Sequence, residues 1–345
     1  MKMTLAEIAK EVGAELHGDG DHVISGICDW RWVREGGADL LAFQTRPLSD
    51  KAFLDSPVRS VIVPELPSPE YLVGKDYLVV EDTRYAFAVV GQLFHPMPRA
   101  TETVIHETAV IDETAEIEEP VRIGPYCVIG KHARICKGAV LESHVHVDVD
   151  CEIGEDSVLE PFVSLLQGTR IGKRNHIGTG AKIGVTGFGN AQKGGRFLQT
   201  PQIGIAITED DVHVGANTCI DRATLGETRI ESGVRIDNLI QVAHNCKIGA
   251  HTGIAALTGL AGSTEVGKHC LIGGQVGFAG HQKVVDGTVI MGKSGVMSSI
   301  TEPAVYFGTP ARPVRETHRI TAASARLPEL LQRVKALEAR LDATR

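Results

Sequence analysis

Aromatic residues make up only 5% of this 345-residue chain, too few for the wide core of a globular sandwich of that length, whereas glycine occurs 38 times. That imbalance suits stacked coils of small residues. No stretch approaches the roughly 18 consecutive apolar residues of a membrane span. The opening MKMTLAEIAKEVGAEL also lacks the unbroken apolar segment of a secretory leader. A soluble, cytoplasmic protein is therefore expected. The seven cysteines (28, 127, 136, 151, 219, 246 and 270) contain no CxxC and no metal-ligand spacing, so packing is their expected role. Positive charge is also short: the net charge of −8 argues against broad nucleic-acid binding and leaves room only for a local basic patch.

What is present is a period. From Ile230 an aliphatic or aromatic residue falls on every sixth position, through Ile236, Val242, Ile248, Ile254, Leu260, Val266, Ile272, Phe278, Val284 and Ile290 to Val296. Six is neither the 3.6 of an amphipathic helix nor the 2 of a half-buried strand. It is the hexapeptide period of a parallel β-helix, in which three hexads, about 18 residues, make one turn. The position four after each aliphatic is mostly small (Thr252, Thr258, Thr264, Cys270, Thr288, Ser294), as a narrow interior requires. The fold class is mainly β: a left-handed parallel β-helix with a small N-terminal α/β domain and a C-terminal helical tail.

Three regions follow. Residues 1–100 lack the hexad. Thr4 and Glu7 make a capping box ahead of Leu5, Ile8, Ala9 and Val12, and strands are expected at 60–64 and 77–81, with a helix from Tyr85 to Phe94. Residues 101–300 carry the hexads, first at Val104 and Val110, then after a one-residue slip from Ile117 to Ile183. The Gly-rich stretch 184–211 interrupts them; a coil tolerates an insertion only as a loop thrown outward at a corner, where function often resides. Val214 and Ile220 resume the repeat, with a four-residue surplus before Ile230. In 301–345, Pro303, Pro310 and Pro313 end the ladder, and Leu327, Leu330, Leu331, Val334, Leu337 and Leu341 form one face of a helix in need of a partner.

Side chains one turn apart stack in columns. One column reads His244, Gly262, Gly280 and its neighbour Asn245, Ser263, His281. A histidine beside bare glycine backbone leaves space for a ligand and N–H groups to face it. By contrast, His132, His144, His251 and His269 share the hexad position of His281, a corner more suited to surface or interface roles. The repeats contain no HxxxxH pair, and His17 with His22 lies outside them, so no metal is expected.

LAEIAKEVGAELHGDGD, TPQIG, IDRATLGETRI, IDNLIQVAHNCKIG, LIGGQVGFAGH and SITEPAVYFGTPARPVRE together resemble the UDP-3-O-acylglucosamine N-acyltransferases, hexapeptide-repeat enzymes of lipid A biosynthesis. The resemblance spans nearly the whole chain. It implies a homotrimer that moves a 3-hydroxyacyl chain from the phosphopantetheine of acyl carrier protein to the 2-amine of a UDP-sugar, with no bound cofactor. It also implies His244 as general base, the Gly262 N–H as oxyanion donor and His281 as a second active-site histidine. Asn245 and His281 are expected to position substrate or pantetheine, and Asp237 is a weaker candidate for orienting the base. Phe43 and Pro47 match the family's uracil-binding segment, while Arg46 and Ser49 replace its Asn and Tyr, so a one-sided stack on Phe43 with an Arg46 phosphate contact is expected. The competing readings are an O- or N-acyltransferase with another UDP-sugar or an acyl-CoA donor, and a non-catalytic β-helix scaffold.

Overall fold

The protein is described by a computed structural model covering residues 2–342. A boundary between two compact units falls between Met97 and Pro98. In the first unit, Thr4 caps helix α1 (Leu5–Val12): its hydroxyl accepts from the Glu7 N–H, while the Glu7 carboxylate accepts from the Thr4 N–H. Gly13, at a φ of 65°, ends the helix in the left-handed conformation that glycine adopts without strain. A five-stranded sheet runs in the order Glu15–His17, Asp76–Val79, Ser60–Val63, Leu40–Phe43, Gly26–Ile27. Its first pair is antiparallel and the remainder parallel. Helix α2 (Thr83–Phe94) joins α1 on a core of Leu5, Ile8, Ile24, Leu41, Ile62, Leu78, Ala86 and Val90.

The second unit is the coil. Short strands stack into three faces of nine, twelve and ten strands, parallel except for the last strand of the twelve, Arg312–Pro313, and each residue pairs with the one a turn later, as Val242 with Leu260 and Ile248 with Val266. The aliphatic of each hexad points inward: Ile135, Leu141, Ile153, Ile236, Val242 and Ile248 are all fully buried. Burying each such side chain contributes roughly 1.5–3 kcal/mol. The small residues fill the remaining interior. Their hydroxyls donate to carbonyls of the same or the next turn, Thr252 to Gly267 and Thr264 to Ala261, so these buried polar atoms are satisfied.

The structure corrects the register at three places. There is no slip at the start: Ile105 and Ile111 pair with Ile123 and Ile129, and at the second site Val110 is exposed while Ile111 is half-buried. Two adjacent aliphatics at each site had made both registers fit. The interruption is shorter than 184–211, because Ile205–Thr208 already lies in the coil, with Thr208 opposite Ile171. A buried threonine in the aliphatic slot hid that strand. After Val296 the ladder keeps one more strand, Val305–Phe307, on Val289–Ile290.

Helices α3 (Val314–Ser324) and α4 (Leu327–Asp342) follow, and neither buries a residue. Thr317 tethers α3 by donating to the Phe307 carbonyl. The apolar residues of α4 from Leu327 to Leu341 are exposed. No helix among the described residues is long and apolar enough to cross a membrane.

Candidate active site

Most corners of the coil turn through a residue with positive φ, and three of these residues, Asn245, Ser263 and His281, stand at φ near 60° on successive turns. They lie where the ten-stranded face gives way to the nine-stranded one. Both irregularities of the repeat leave the coil at this same corner. The longer excursion, 186–204, contains a hairpin pairing Asn190–Lys193 with Arg196–Gln199. The shorter one, 222–226, accounts for Ile220 pairing with Val242 rather than with a residue a regular turn away.

His244 sits on that corner, half-buried. Its Nδ1 lies 3.1 Å from Asn245 Oδ1. The orientation of the Asn245 amide is fixed independently: Oδ1 accepts from the Thr224 N–H at 3.0 Å, and Nδ2 donates to the Leu225 carbonyl at 2.9 Å. Oδ1 can therefore only accept from His244, which places the proton on Nδ1 and leaves the Nε2 lone pair free. Nε2 faces Gly262 so closely that a Cβ there would stand 2.6 Å from it. Among the described residues the Gly262 N–H has no acceptor, whereas its neighbours Ala261 and Ser263 both donate to the coil. A base and an uncommitted N–H donor thus share one wall of a cavity of about 670 Å³, lined also by Val185, Thr186, Phe188, Asp221 and Gln241.

Asn245 acts on His244 itself, where the sequence suggested a contact with substrate or pantetheine. His281 is exposed two turns from His244, and its N–H donates to the Gly262 carbonyl. Asp237 is not brought to the base. It follows a strand of the twelve-stranded face, accepts from the Asn238 and Ala256 N–H groups, and lines a different groove with His213, Arg235, Leu271 and Met291. Seven residues from His244 is one hexad plus one, which puts Asp237 beyond the previous corner.

Asp221 is a site residue that column arithmetic missed. It is 4% exposed, and its Oδ1 accepts from Gln241 Nε2 at 2.9 Å. Burial pushes its carboxyl above the usual range, partly offset by the Gln241 hydrogen bond and by His244. The four-residue surplus hid it, although the motif IDR was visible. Two thiols lie close by: burial pushes Cys246 up to about 11, and burial and Asp221 raise Cys219. Among the described residues, no group of three or more His, Cys, Asp or Glu side chains is gathered to hold a metal.

In the N-terminal unit, Phe43 stacks on Phe87 at a centroid distance of 3.9 Å and packs against the core under α1 and α2. Arg46, Pro47 and Ser49 are exposed beside it in sequence.

A UDP-3-O-acylglucosamine N-acyltransferase of Pseudomonas syringae pv. syringae is 39% identical over 98% of this chain and 95% of its own length. One of the same description from Hahella chejuensis is 38% identical over 98% of this chain and 96% of its own. Among solved structures, the Arabidopsis UDP-N-acetylglucosamine acyltransferase aligns with 61% of this chain and 73% of its own at a TM-score of 0.50 and 24% identity, a likeness of fold. No family model matches the chain.

Proposed function

Since the chain belongs to the UDP-3-O-acylglucosamine N-acyltransferases, acyltransferases of lipid A biosynthesis, we propose that it moves a 3-hydroxyacyl chain from the phosphopantetheine thioester of acyl carrier protein to the 2-amine of UDP-3-O-acylglucosamine. It does so in the cytoplasm, as a homotrimer and without a bound cofactor. The observation that carries this reading is the pairing of His244 Nε2 with the uncommitted Gly262 N–H in one cavity. Acyl transfer to nitrogen needs a base and an oxyanion donor within reach of one carbonyl carbon.

The neutral amine attacks the thioester carbonyl. As the N–C bond forms, the carbonyl π pair moves onto oxygen, where the Gly262 N–H stabilises it, and His244 Nε2 takes a proton from the amine. The oxyanion then collapses, the C–S bond breaks, and the thiolate receives the proton held by His244, giving amide and thiol. Asn245 Oδ1 keeps its hydrogen bond to Nδ1 throughout, stabilising the imidazolium when it forms. In this reading transfer is direct, from thioester to amine. The uracil is assigned to Phe43, with Arg46 toward a phosphate.

The test is mass spectrometry of products from a panel of acyl carrier protein and coenzyme A thioesters offered with several UDP-sugars. An N-acylated product from the carrier-protein thioester and UDP-3-O-acylglucosamine is expected. Preferential transfer to a hydroxyl, or from coenzyme A, would replace this reading with another acyltransferase activity. No turnover with any pair would favour a scaffold.

A further inference from the structure

The cavity holds one feature that the base and the oxyanion donor leave unused. Asp221 ends the strand Cys219–Asp221 on the ten-stranded face and is 4% exposed. One oxygen, Oδ1, is held by Gln241. The other, Oδ2, accepts from no protein group, and no lysine or arginine among the described residues pairs with this carboxylate. The excursion 186–204 shields it: the backbone of Gly187 comes so close that a Cβ there would stand 2.2 Å from Oδ2, and Gly187 is held in place by donating to Gln202 Oε1 at 2.7 Å. Other coil carboxylates meet arginines, as Asp211 meets Arg174 and Glu209 meets Arg229, or accept from backbone N–H groups, as Asp237 and Asp148 do. A carboxylate taken out of water without a cation is costly to keep. Such a group is retained where a ligand supplies the missing positive charge.

We propose that Asp221 recognises the amino group of the acceptor and selects an amine over a hydroxyl at the transfer site. This rests on the function proposed above. The residue shares its cavity with His244, so a ligand nitrogen placed for attack is offered both groups. The acceptor enters as its ammonium, paired with the free oxygen of Asp221. It releases one proton to solvent to become nucleophilic. The neutral amine then keeps one N–H on the carboxylate, directing its lone pair at the thioester, and gives the other to His244, which passes it to the departing thiolate. A hydroxyl acceptor brings no charge to offset the buried carboxylate. It has also only one hydrogen to share between Asp221 and His244.

Titration calorimetry with UDP-3-O-acylglucosamine and its 2-hydroxy counterpart tests the assignment. The wild-type protein should bind the amine roughly tenfold or more tightly, as one well-placed charge-assisted contact gives. In Asp221→Asn, which keeps an oxygen for Gln241, the two ligands should bind within about threefold of each other. Weakening of both ligands by the same factor would reduce Asp221 to a structural role and overturn the assignment. So would a wild-type protein without amine preference, a measurement that does not depend on how the variant folds. If the wild-type enzyme acylated no UDP-sugar amine at all, the proposed function would fail together with this inference; transfer without amine preference sinks the inference alone.

Discussion

Three residues divide the labour at the corner, and each has its own signature. His244→Ala should reduce turnover by about 100-fold or more, the usual contribution of a positioned base, while circular dichroism and the melting temperature stay unchanged, since the side chain fills no core space. Gly262→Ala should fail in a different way. Its new methyl would stand 2.6 Å from Nε2 and Cε1 of His244, displacing the imidazole, so kcat should fall at least as far while carrier-protein KM holds. Asp221 carries a stability consequence with a definite sign. A carboxyl whose pKa is raised on folding binds more protons folded than unfolded, so stability falls as pH rises from the ordinary carboxylate range through the raised value, and the penalty is complete above it. Asp221→Asn should therefore melt higher than wild type at pH 8, and the gain should vanish at pH 4. A variant that melts lower at pH 8 would contradict the unpaired, desolvated state assigned to this residue.

At the scale of elements, the coil and its excursions have separate tasks. The interior is a continuous column of inward aliphatics, so Ile153→Ala, well before the site in sequence, should cost about 2–5 kcal/mol by cavity formation. Chemical denaturation measures that loss, and kcat per folded molecule should stay at the wild-type value. The exposed ion pairs of the coil, such as Arg122 with Glu142 and Lys283 with Glu265, contribute far less, about 0–1 kcal/mol each. The two excursions both leave at the corner of His244. The shorter one presents the Thr224 N–H and Leu225 carbonyl that lock Asn245, and the longer one covers Asp221 with Gly187. Without the surplus residues that lengthen this turn, neither group would stand there.

For the molecule as a whole, charge and exposed apolar surface set the terms of association. An acidic carrier protein meets an enzyme of net charge −8, so docking needs a local positive surface. The tail offers one in Arg315 and Arg319, which are exposed on α3, whereas Arg312 is already engaged by Glu316 at 2.8 Å. Reversing the charge at Arg315 and Arg319 should raise KM for the carrier-protein thioester, and wild-type KM should climb with salt. A KM indifferent to both would move the docking surface elsewhere. Tyr126, Phe162, Leu239 and Leu257 stand exposed along one corner of the coil, as do the leucines of α4, apolar surface that supports the trimeric reading. Light scattering should return three times the chain mass of 37.0 kDa.

Much of this was legible in one dimension. A hexad period can be satisfied by a single kind of coil, because only a flat-sided turn of three hexads brings every sixth residue inward, so the sequence determined the fold from Ile117 onward. It also brought His244 and Gly262 together, since stacking one turn apart is arithmetic. Arithmetic failed wherever the turn length changed. The surplus at 222–226 moved Asp221 under the column of Ala243, and Thr208 in an aliphatic slot concealed a strand. Asp237, close to His244 along the chain, lies around a corner from it. Hydrogen-bond direction was likewise beyond the sequence. That Asn245 serves the base follows only from the Thr224 N–H and Leu225 carbonyl that orient its amide, two backbone groups on an irregular loop whose path no periodicity encodes.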